Sequence, residues 1–508
     1  MPLAAEPREM THREVVKVLV GLMTAMLLAA LDQTIVATAL PTIVGELGGL
    51  SQLSWVVTAY LLTLTVAMPL YGKVSDLYGR KRLFQIAITV FVVGSAACAL
   101  ATSMGQLIAF RAIQGLGAGG IGALSHTIIG GIVPPRQRGR YQGYIGAVYA
   151  LASVAGPLLG GYFVDQFDWR WVFWINLPLG AVAIAVTQAN LRLDTRGGHP
   201  RIDWLGAALL TVGISGLLLA TVWGGQVYPW ASPVILSLAG GVAAALIMFV
   251  IVERRASEPI LPPELFRDRG FTVSIGIAAI IGAALFGAVT FLPLFLQTVV
   301  GLSATSAGLL LIPLVAGLLI GVLSSTRMVT RWGRYKVFPI IGTAALAVGM
   351  GLLASMDTTT TQLQASAYMV LVGLGVGLNL QVLVIAVQNA APPRHLGAAT
   401  AAVQFFRSIG ATVGVGVCGA LFTTRLAATL AAGGLSTSAG IDPQSLSTPE
   451  TLATLPLAIQ TALRGTLADA ITWVFLWTVP IALIGFALAW RLRELPLRAT
   501  HAVARVDT

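Results

Sequence analysis

The sequence has few charged residues, few cysteines and no nucleotide-binding loop. Asp, Glu, Lys and Arg make up only 10% of the 508 residues, whereas 56% are hydrophobic, and this composition excludes a soluble globular protein. Cys98 and Cys418 each lie in an apolar stretch without metal-ligand spacing, so neither a disulfide framework nor a metal site is predicted. The sequence G-x-x-x-x-G-K-[ST] is also absent, which argues against ATP-driven transport by this chain alone.

The sequence contains instead a series of long apolar runs. A hydrocarbon core of about 30 Å needs roughly 20 apolar residues per helix. Fourteen runs meet this requirement: 16–39, 53–72, 83–102, 106–132, 143–164, 171–191, 204–223, 232–252, 271–297, 304–325, 337–356, 364–389, 396–424 and 466–490. They predict an all-α polytopic membrane protein with fourteen transmembrane helices.

The basic residues indicate how the chain is oriented. Most of the 31 Lys and Arg residues fall in alternate loops between the apolar runs. By the positive-inside rule, this pattern predicts an even number of spans with both termini in the cytoplasm. The net charge of +11 therefore reflects membrane topology rather than binding to nucleic acid, since the basic residues do not cluster with aromatic residues.

The chain also carries a loose internal repeat. "GKVSDLYGRK" follows the second run and "TRMVTRWGRYK" follows the tenth, with Thr330 in place of the aspartate of the first copy. Six helices counted from each end predict an N-terminal bundle (1–202), two inserted helices with a linker (203–269) and a C-terminal bundle (270–508) with an outer loop (425–465). Such an arrangement is expected of a transporter that moves two bundles about a central site.

Two charged residues of the first half lie inside predicted spans. Asp32 lies about two turns below the outer face in "LLAALDQTIVATALP", and Arg111 about one and a half turns below it in "RAIQGLGAGG". Charge inside the membrane is costly and is a functional hypothesis by default. Their similar depths predict a direct or water-mediated interaction that alters the proton affinity of Asp32. For Arg111, a side chain that reaches the headgroup region is the alternative.

The turn after the second run predicts a conformational latch. Gly72 and Gly79 permit close approach and a tight turn. Asp76 can meet a helix N-terminus, and Arg80 faces the cytoplasm. The alternative is a solvated, positively charged turn without a special role.

The fifth run is rich in small residues. "GAVYALASVAGPLLGG" contains Gly146, Gly156, Pro157, Gly160 and Gly161. Small residues let neighbouring helices approach, and proline bends a helix by removing a backbone hydrogen bond. The segment predicts a closely packed, shaped helix, with generic packing as the alternative.

Other polar and aromatic residues inside the spans are candidates for a substrate cavity, and packing is the alternative for each of them. These candidates are Trp55, Tyr60, Gln114, Asn379, Gln381, Gln404 and Arg407. Aromatic faces suit a cationic compound. Arg407 lies near the membrane midplane, where it binds an anionic group, pairs with an acid or organises the cavity; the sequence does not choose among these.

Taken in order, these motifs resemble the major facilitator superfamily, and specifically its fourteen-helix drug/proton antiporter branch. "LDQTIVATALP" is similar to the helix 1 motif, "GKVSDLYGRKR" to motif A, "RAIQGLGAGG" to motif B and "GPLLGG" to the antiporter motif C. The similarity covers about residues 15–424. It implies that Asp32 is a membrane carboxylate linked to protons or cationic drugs, that Arg111 takes part in proton coupling, and that Gly156 to Gly161 are associated with export.

The resemblance implies a major facilitator fold and a proton-coupled multidrug efflux antiporter that exports amphipathic, often cationic compounds by alternating access. The alternative is a dedicated exporter of one metabolite, lipid, peptide or antibiotic. A receptor or channel without active transport fits the ordered motifs less well. An enzyme is not expected, because no nucleophile–base pair or metal-ligand spacing occurs. The expected partners are protons, small amphipathic substrates and the lipid bilayer, without a cofactor or nucleic acid, for a monomer in a bacterial cytoplasmic (inner) membrane.

Overall fold

The computed structural model describes residues 12–48, 52–191, 203–225, 227–302, 304–432 and 457–497. Across these residues the secondary structure is helical, apart from one isolated bridge between Gly224 and Tyr228. The α-helices are α1 (His12–Leu47), α2 (Leu53–Tyr78), α3 (Arg80–Ala99), α4 (Met104–Ile132), α5 (Pro135–Gln166), α6 (Trp171–Trp174), α7 (Asn176–Asn190), α8 (Trp204–Trp223), α9 (Pro233–Glu253), α10 (Pro263–Arg267), α11 (Arg269–Thr298), α12 (Ala304–Leu309), α13 (Ile312–Trp332), α14 (Val337–Ala354), α15 (Gln362–Ala390), α16 (Leu396–Ala432) and α17 (Leu457–Arg491).

The described chain contains 14 helical segments that are long and apolar enough to cross a membrane, which confirms the predicted number. Two predicted runs are interrupted. The sixth, 171–191, divides into α6 and α7 at Ile175. The tenth, 304–325, divides into α12 and α13, of which α13 alone has the length of a span. Hydropathy averaged over a whole span does not mark either break, because apolar residues predominate on both sides of each.

Short polar residues and glycines set the ends of several helices. Asp203 and Asp268 each accept a backbone N–H at 2.8 Å in the first turn of α8 and α11, which satisfies one of the free donors at a helix start. Gly79 and Gly333 follow α2 and α13 with φ of 94° and 70°, values that favour glycine. The two copies of the repeat therefore both end their helix on a glycine.

The spans pack in two sets with an inserted pair. Helices α1 to α5 and α7 pack mainly on one another, as do α11 and α13 to α17. Helices α8 and α9 pack as a pair, and α8 also contacts α2 and α16. The sets meet where α2 and α4 contact α16 and where α5 contacts α13. The exact domain limits stay a prediction, and the limit at residue 202 lies outside the described residues.

The predicted outer loop, 425–465, is too long at both ends. Helix α16 continues to Ala432, and α17 already begins at Leu457. Arg425 and Asp469 join these two helices through an ion pair of 2.8 Å. Residues 433–456 lie outside the described residues. The apolar runs underestimated the two helices because the runs end next to charged residues, Arg425 and Arg464, whereas the helices continue past them.

Candidate functional site

The carboxylate of Asp32 on α1 forms an ion pair with Arg111 on α4. Arg111 Nη1 lies 2.5 Å from Asp32 Oδ2, and the side chains of Arg111 and Asp32 are 2% and 0% exposed, respectively. The similar depths estimated from the sequence thus correspond to direct contact. Because Arg111 points into the bundle, the alternative that it reaches the headgroup region is wrong.

Two amide side chains complete the surroundings of Asp32. Gln114 Nε2 donates to Asp32 Oδ1 at 2.7 Å, and Asn176 Nδ2 donates to the same oxygen at 3.1 Å. Asn176 also donates to Ser95 Oγ at 2.9 Å. The carboxylate therefore accepts from a cation and two amides, as an ionised acid requires. Asn176 and Ser95 were missed by the sequence analysis; a polar residue at the break in the sixth span was the available signal.

Arg111 makes further contacts that hold its guanidinium in place. Its Nη1 also donates to Gln114 Oε1 at 2.7 Å, and its Nε donates to the Val56 carbonyl at 3.4 Å. Its Cζ lies 4.1 Å from the ring centroid of Tyr60, within the range of a cation–π contact. We call Asp32, Arg111, Gln114 and Asn176 the charge network.

A cavity of about 640 Å³ lies between the two sets of helices, beside α8. Its polar lining includes Gln33, Thr65, His126, Tyr149, Ser153, Thr221, Thr290, Gln381, Arg407, Ser408, Thr412 and Thr423. Its apolar lining includes Met26, Leu61, Leu64, Met68, Phe286 and Phe291. A mostly apolar cavity with a few polar groups is typical of sites for small organic molecules.

Two of the predicted cavity residues, Gln381 and Arg407, line this cavity. Tyr60 and Gln114 do not, because they contact Arg111 inside the N-terminal set of helices. The predicted position of these two residues in the cavity lining was therefore wrong, because a polar residue in a span can face a neighbouring helix as readily as a cavity.

The other three predicted cavity residues also lie away from the lining. Trp55 contacts Trp223 with ring centroids 6.0 Å apart. Asn379 is buried and donates to the Gly375 carbonyl at 2.8 Å, and Gln404 is buried as well. Their positions correct the sequence prediction, because helix packing uses the faces that these residues occupy.

His126 and Tyr149 line the cavity without having been predicted. His126 Nδ1 lies 2.8 Å from Gln142 Oε1, and both residues are buried. A histidine inside an apolar helix was the available signal. Thr221 brings the inserted α8 into the cavity, which only the packing of that helix reveals.

Asp76 joins α2 to the start of α16. Its carboxylate accepts the backbone N–H of Gly397 at 2.9 Å and that of Ala398 at 3.1 Å. Arg80 Nη2 lies 3.4 Å from the same carboxylate. A carboxylate at a helix N-terminus satisfies free donors and complements the helix dipole. The contact crosses between the two sets of helices, as the latch prediction requires.

The remaining latch residues, Gly72 and Gly79, support this contact. A Cβ at Gly72 would lie only 2.5 Å from Ala401 Cβ, so the absence of a side chain permits the approach of α2 to α16. Gly79 forms the turn after α2. In the second copy of the repeat, Thr330 only donates to the Thr326 carbonyl of its own helix at 2.9 Å.

The segment between α9 and α11 forms two ion pairs on the side of the protein where Asp76 meets the start of α16, which we call the latch side. Lys73 Nζ lies 2.6 Å from Glu258 Oε2, and Arg394 Nη2 lies 2.6 Å from Glu264 Oε2. The hydrogen bond from Arg394 holds the pKa of the exposed Glu264 below its usual value. These exposed or partly exposed pairs add little stability by themselves, but they tie the segment to both sets of helices.

The small residues of α5 serve two different contacts. A Cβ at Gly156 or Gly160 would overlap Thr34 or Thr38 of α1, whereas Gly161 has open space around it. A Cβ at Gly146 would lie 2.7 Å from Val322 Cγ1 on α13. Pro157 lies within α5.

Thus Gly156 and Gly160 bring α5 against α1, and Gly146 brings it against the C-terminal set. Gly161 belongs to neither contact.

Within the described residues no group of three or more His, Cys, Asp or Glu residues is arranged to hold a metal ion. The charge network instead places one carboxylate inside a helical bundle, beside a cavity between two bundles. Together these features define a multi-pass membrane protein built around a central cavity.

Comparison with known proteins identifies the family. Residues 22–415 match the model of the Major Facilitator Superfamily. Multidrug resistance protein 3 of Bacillus subtilis is 38% identical over 481 residues, covering 93% of each chain. An uncharacterized MFS-type transporter of Mycobacterium tuberculosis is 43% identical over 481 residues, covering 95% of this chain and 70% of that protein. The chain belongs to the Major Facilitator Superfamily.

A solved structure supports the fold. The human organic anion transporter MFSD10 superposes with a TM-score of 0.64 at 16% identity, covering 95% of this chain and 100% of that one. At this identity the likeness concerns the fold alone. The expected major facilitator fold is confirmed.

Proposed function

We propose that this protein is a proton-coupled antiporter that exports amphipathic compounds across a bacterial cytoplasmic membrane by alternating access. The observation that carries the proposal is the buried carboxylate of Asp32. It forms an ion pair with Arg111 and lies on α1, a helix that also lines the cavity. Ala29, about one turn before this carboxylate on α1, and Gln33, one residue after it, both line the cavity. A change at Asp32 therefore acts on the cavity wall through a single helix.

Protonation supplies the coupling step in this proposal. The ionised carboxylate is stabilised by Arg111 and two amides. A proton on Asp32 removes the negative charge and weakens its attraction to Arg111, so that α1 is freer to move against α4. Substrate and proton then favour opposite conformations, and each 100 mV of membrane potential contributes about 2.3 kcal/mol per elementary charge.

In the proposed transport cycle, the latch contact between α2 and the start of α16 must break. Asp76 and Gly72 hold α2 against the start of α16 in the present conformation. Access to the cavity from the latch side requires the two sets of helices to part at this contact. In our proposal the latch side is cytoplasmic, as are both termini, in line with the loop charges.

The export direction rests on the family and on similarity. The relative in Bacillus subtilis is named a multidrug resistance protein, and several other relatives are named efflux pumps. The expectation that substrates are often cationic remains a prediction. We further propose a monomeric transporter without enzymatic activity, cofactor or nucleic-acid partner.

The test uses purified protein reconstituted into liposomes and a panel of chemically diverse amphipathic compounds. Uphill flux is measured with and without an imposed proton gradient for the native chain, Asp32→Asn and the control Asp165→Asn. Asp165 is an exposed acid near the end of α5, so its substitution removes a carboxylate outside the charge network.

We expect gradient-driven flux of several compounds by the native chain and by Asp165→Asn. For Asp32→Asn we expect loss of gradient-driven accumulation, while downhill exchange continues. Normal uphill flux by Asp32→Asn would show that Asp32 is not the coupling site. Absence of uphill flux in the native chain would refute the antiporter, and transport of one compound only would favour the dedicated exporter.

A further inference from the structure

Arg407 is the sole Lys, Arg, Asp or Glu residue among the described residues that line the central cavity. It lies eleven residues from the start of α16 at Leu396, about 16 Å along the helix and thus near the middle of a core of about 30 Å. Its side chain is half-buried. The cavity therefore presents a permanent positive charge to whatever occupies it.

No acid within the described residues forms an ion pair with Arg407. Asp32, the buried carboxylate of the charge network, does not line the cavity and is held by Arg111. The polar neighbours in the lining, such as Tyr149, Gln381 and Ser408, are uncharged groups. Among the residues that the structure describes, no negative charge thus lies against the positive charge at the cavity wall.

An uncompensated charge near the membrane midplane is costly and usually has a functional reason. The guanidinium group is planar and always protonated, and it binds carboxylate and phosphate groups through two parallel hydrogen bonds. Apolar residues such as Leu64, Phe286 and Phe291 line the same cavity. An occupant that satisfies both features has an apolar body and one acidic group.

We propose that the central cavity binds amphipathic organic acids, with the acidic group paired to Arg407 and the apolar body against the aromatic and aliphatic lining. This inference rests on the proposed function in so far as the cavity is the transport site. It narrows the substrate class and differs from the expectation of cationic compounds, because a cation at Arg407 meets like charge in a site of low dielectric constant.

Three probes with the same apolar body test the sign of the charge: pyrenebutanoate, pyrenebutanol and pyrenebutylammonium. Their binding to the purified full-length protein in detergent is measured by equilibrium dialysis at neutral pH. The proteins are the native chain, Arg407→Gln, Arg407→Lys and the control Arg425→Gln, which removes an arginine of the same helix that does not line the cavity. Thermal unfolding of each variant verifies that it is folded.

We expect the native chain and Arg425→Gln to bind the acid at least about tenfold more tightly than the alcohol, and the ammonium compound least well. Arg407→Gln loses this preference, while Arg407→Lys keeps a reduced one because a charge without the bidentate geometry remains. A purely structural role for Arg407 would change stability without changing the order of the three probes.

The inference is overturned if the native chain binds the ammonium compound as tightly as the acid, or binds none of the three. An unchanged preference for the acid in folded Arg407→Gln would also overturn it. Because dialysis needs no gradient, these outcomes are independent of proton coupling. Selective binding of the acid without gradient-driven flux would refute only the proposed function, and gradient-driven flux without the preference would refute only this inference.

Discussion

Arg111 and Arg407 are both arginines inside spanning helices, and the protein surrounds their charges in opposite ways. Arg111 is 2% exposed and lies 2.5 Å from the carboxylate of Asp32. Arg407 faces the central cavity, where the described lining contains no acid. One charge is neutralised inside its own bundle, whereas the other is available to an occupant of the cavity.

In the proposed antiporter, proton binding and substrate binding are two tasks, and the two arginines lie at the two different sites. Asp32 is held in the charge network and does not line the cavity, so that in the proposed function the proton site and the substrate site do not share one group. Helix α1 connects them, because it carries Asp32 on one face and Gln33 on the cavity wall. Coupling through a helix between two sites requires no direct contact between proton and substrate.

The strongest test of this comparison removes the cation of the charge network. Arg111→Gln leaves the carboxylate of Asp32 buried without a counter-charge, so we expect a loss of about 3–5 kcal/mol in the free energy of unfolding. Denaturant titration in mixed micelles measures this loss.

The double variant Asp32→Asn/Arg111→Gln is the control for this prediction. It removes both charges, and we expect it to recover at least about 1 kcal/mol relative to Arg111→Gln. If the double variant were no more stable than the single one, the ion pair would not be the source of the loss.

A second prediction concerns the packing that positions α1. Gly160→Ala places a methyl group against Thr38 and Ile35 of α1, and we expect it to destabilise the protein by about 1–3 kcal/mol through overpacking. Gly161→Ala is the matched control, since the neighbouring glycine has open space. Alanine is a better helix former, so this variant stays neutral or gains up to about 1 kcal/mol. Equal unfolding curves for the two variants would contradict the contact.

The smallest effect on stability is expected at Arg407. Arg407→Gln removes a costly charge that has no ion-pair partner among the described residues, so the free energy of unfolding should not fall by more than about 0.5 kcal/mol below the native value. The same titration measures it beside Arg111→Gln. A loss above about 2 kcal/mol would mean that Arg407 holds the structure together, and the contrast between the two arginines would disappear.

Local sequence was a good guide to the elements and to some of the contacts. The apolar runs predicted the number of spans, because each must cover the same hydrocarbon thickness. The depth of Asp32 and Arg111 predicted their encounter, since both residues are fixed on long helices. The contact of Asp76 with a helix start could also be predicted, because the backbone N–H donors of a helix start need acceptors and Asp76 supplies one; its role as a latch stays a prediction. Helix ends were less readable, and α16 and α17 both extend into the predicted loop.

The cavity shows where local sequence was insufficient. Of seven predicted lining residues, Gln381 and Arg407 face it, whereas Tyr60 and Gln114 bind Arg111 instead. The rotation of each helix about its axis decides which of its polar residues face a partner and which face the cavity. That rotation depends on all neighbouring helices at once, so a single span does not encode it.

The amino-acid sequence is enough to predict the membrane character, the number of spans, the positions of the costly charges and the glycines that allow helices to approach. These follow from the length of apolar runs and from the chemistry of single residues. Only the packing of the helices shows that Asn176 closes the charge network around Asp32, that α8 reaches the cavity and that Arg407 faces a cavity whose described lining contains no acid. The physical reason is that satisfaction of a buried polar group depends on partners from distant parts of the chain, which only the packed helices bring within hydrogen-bonding distance.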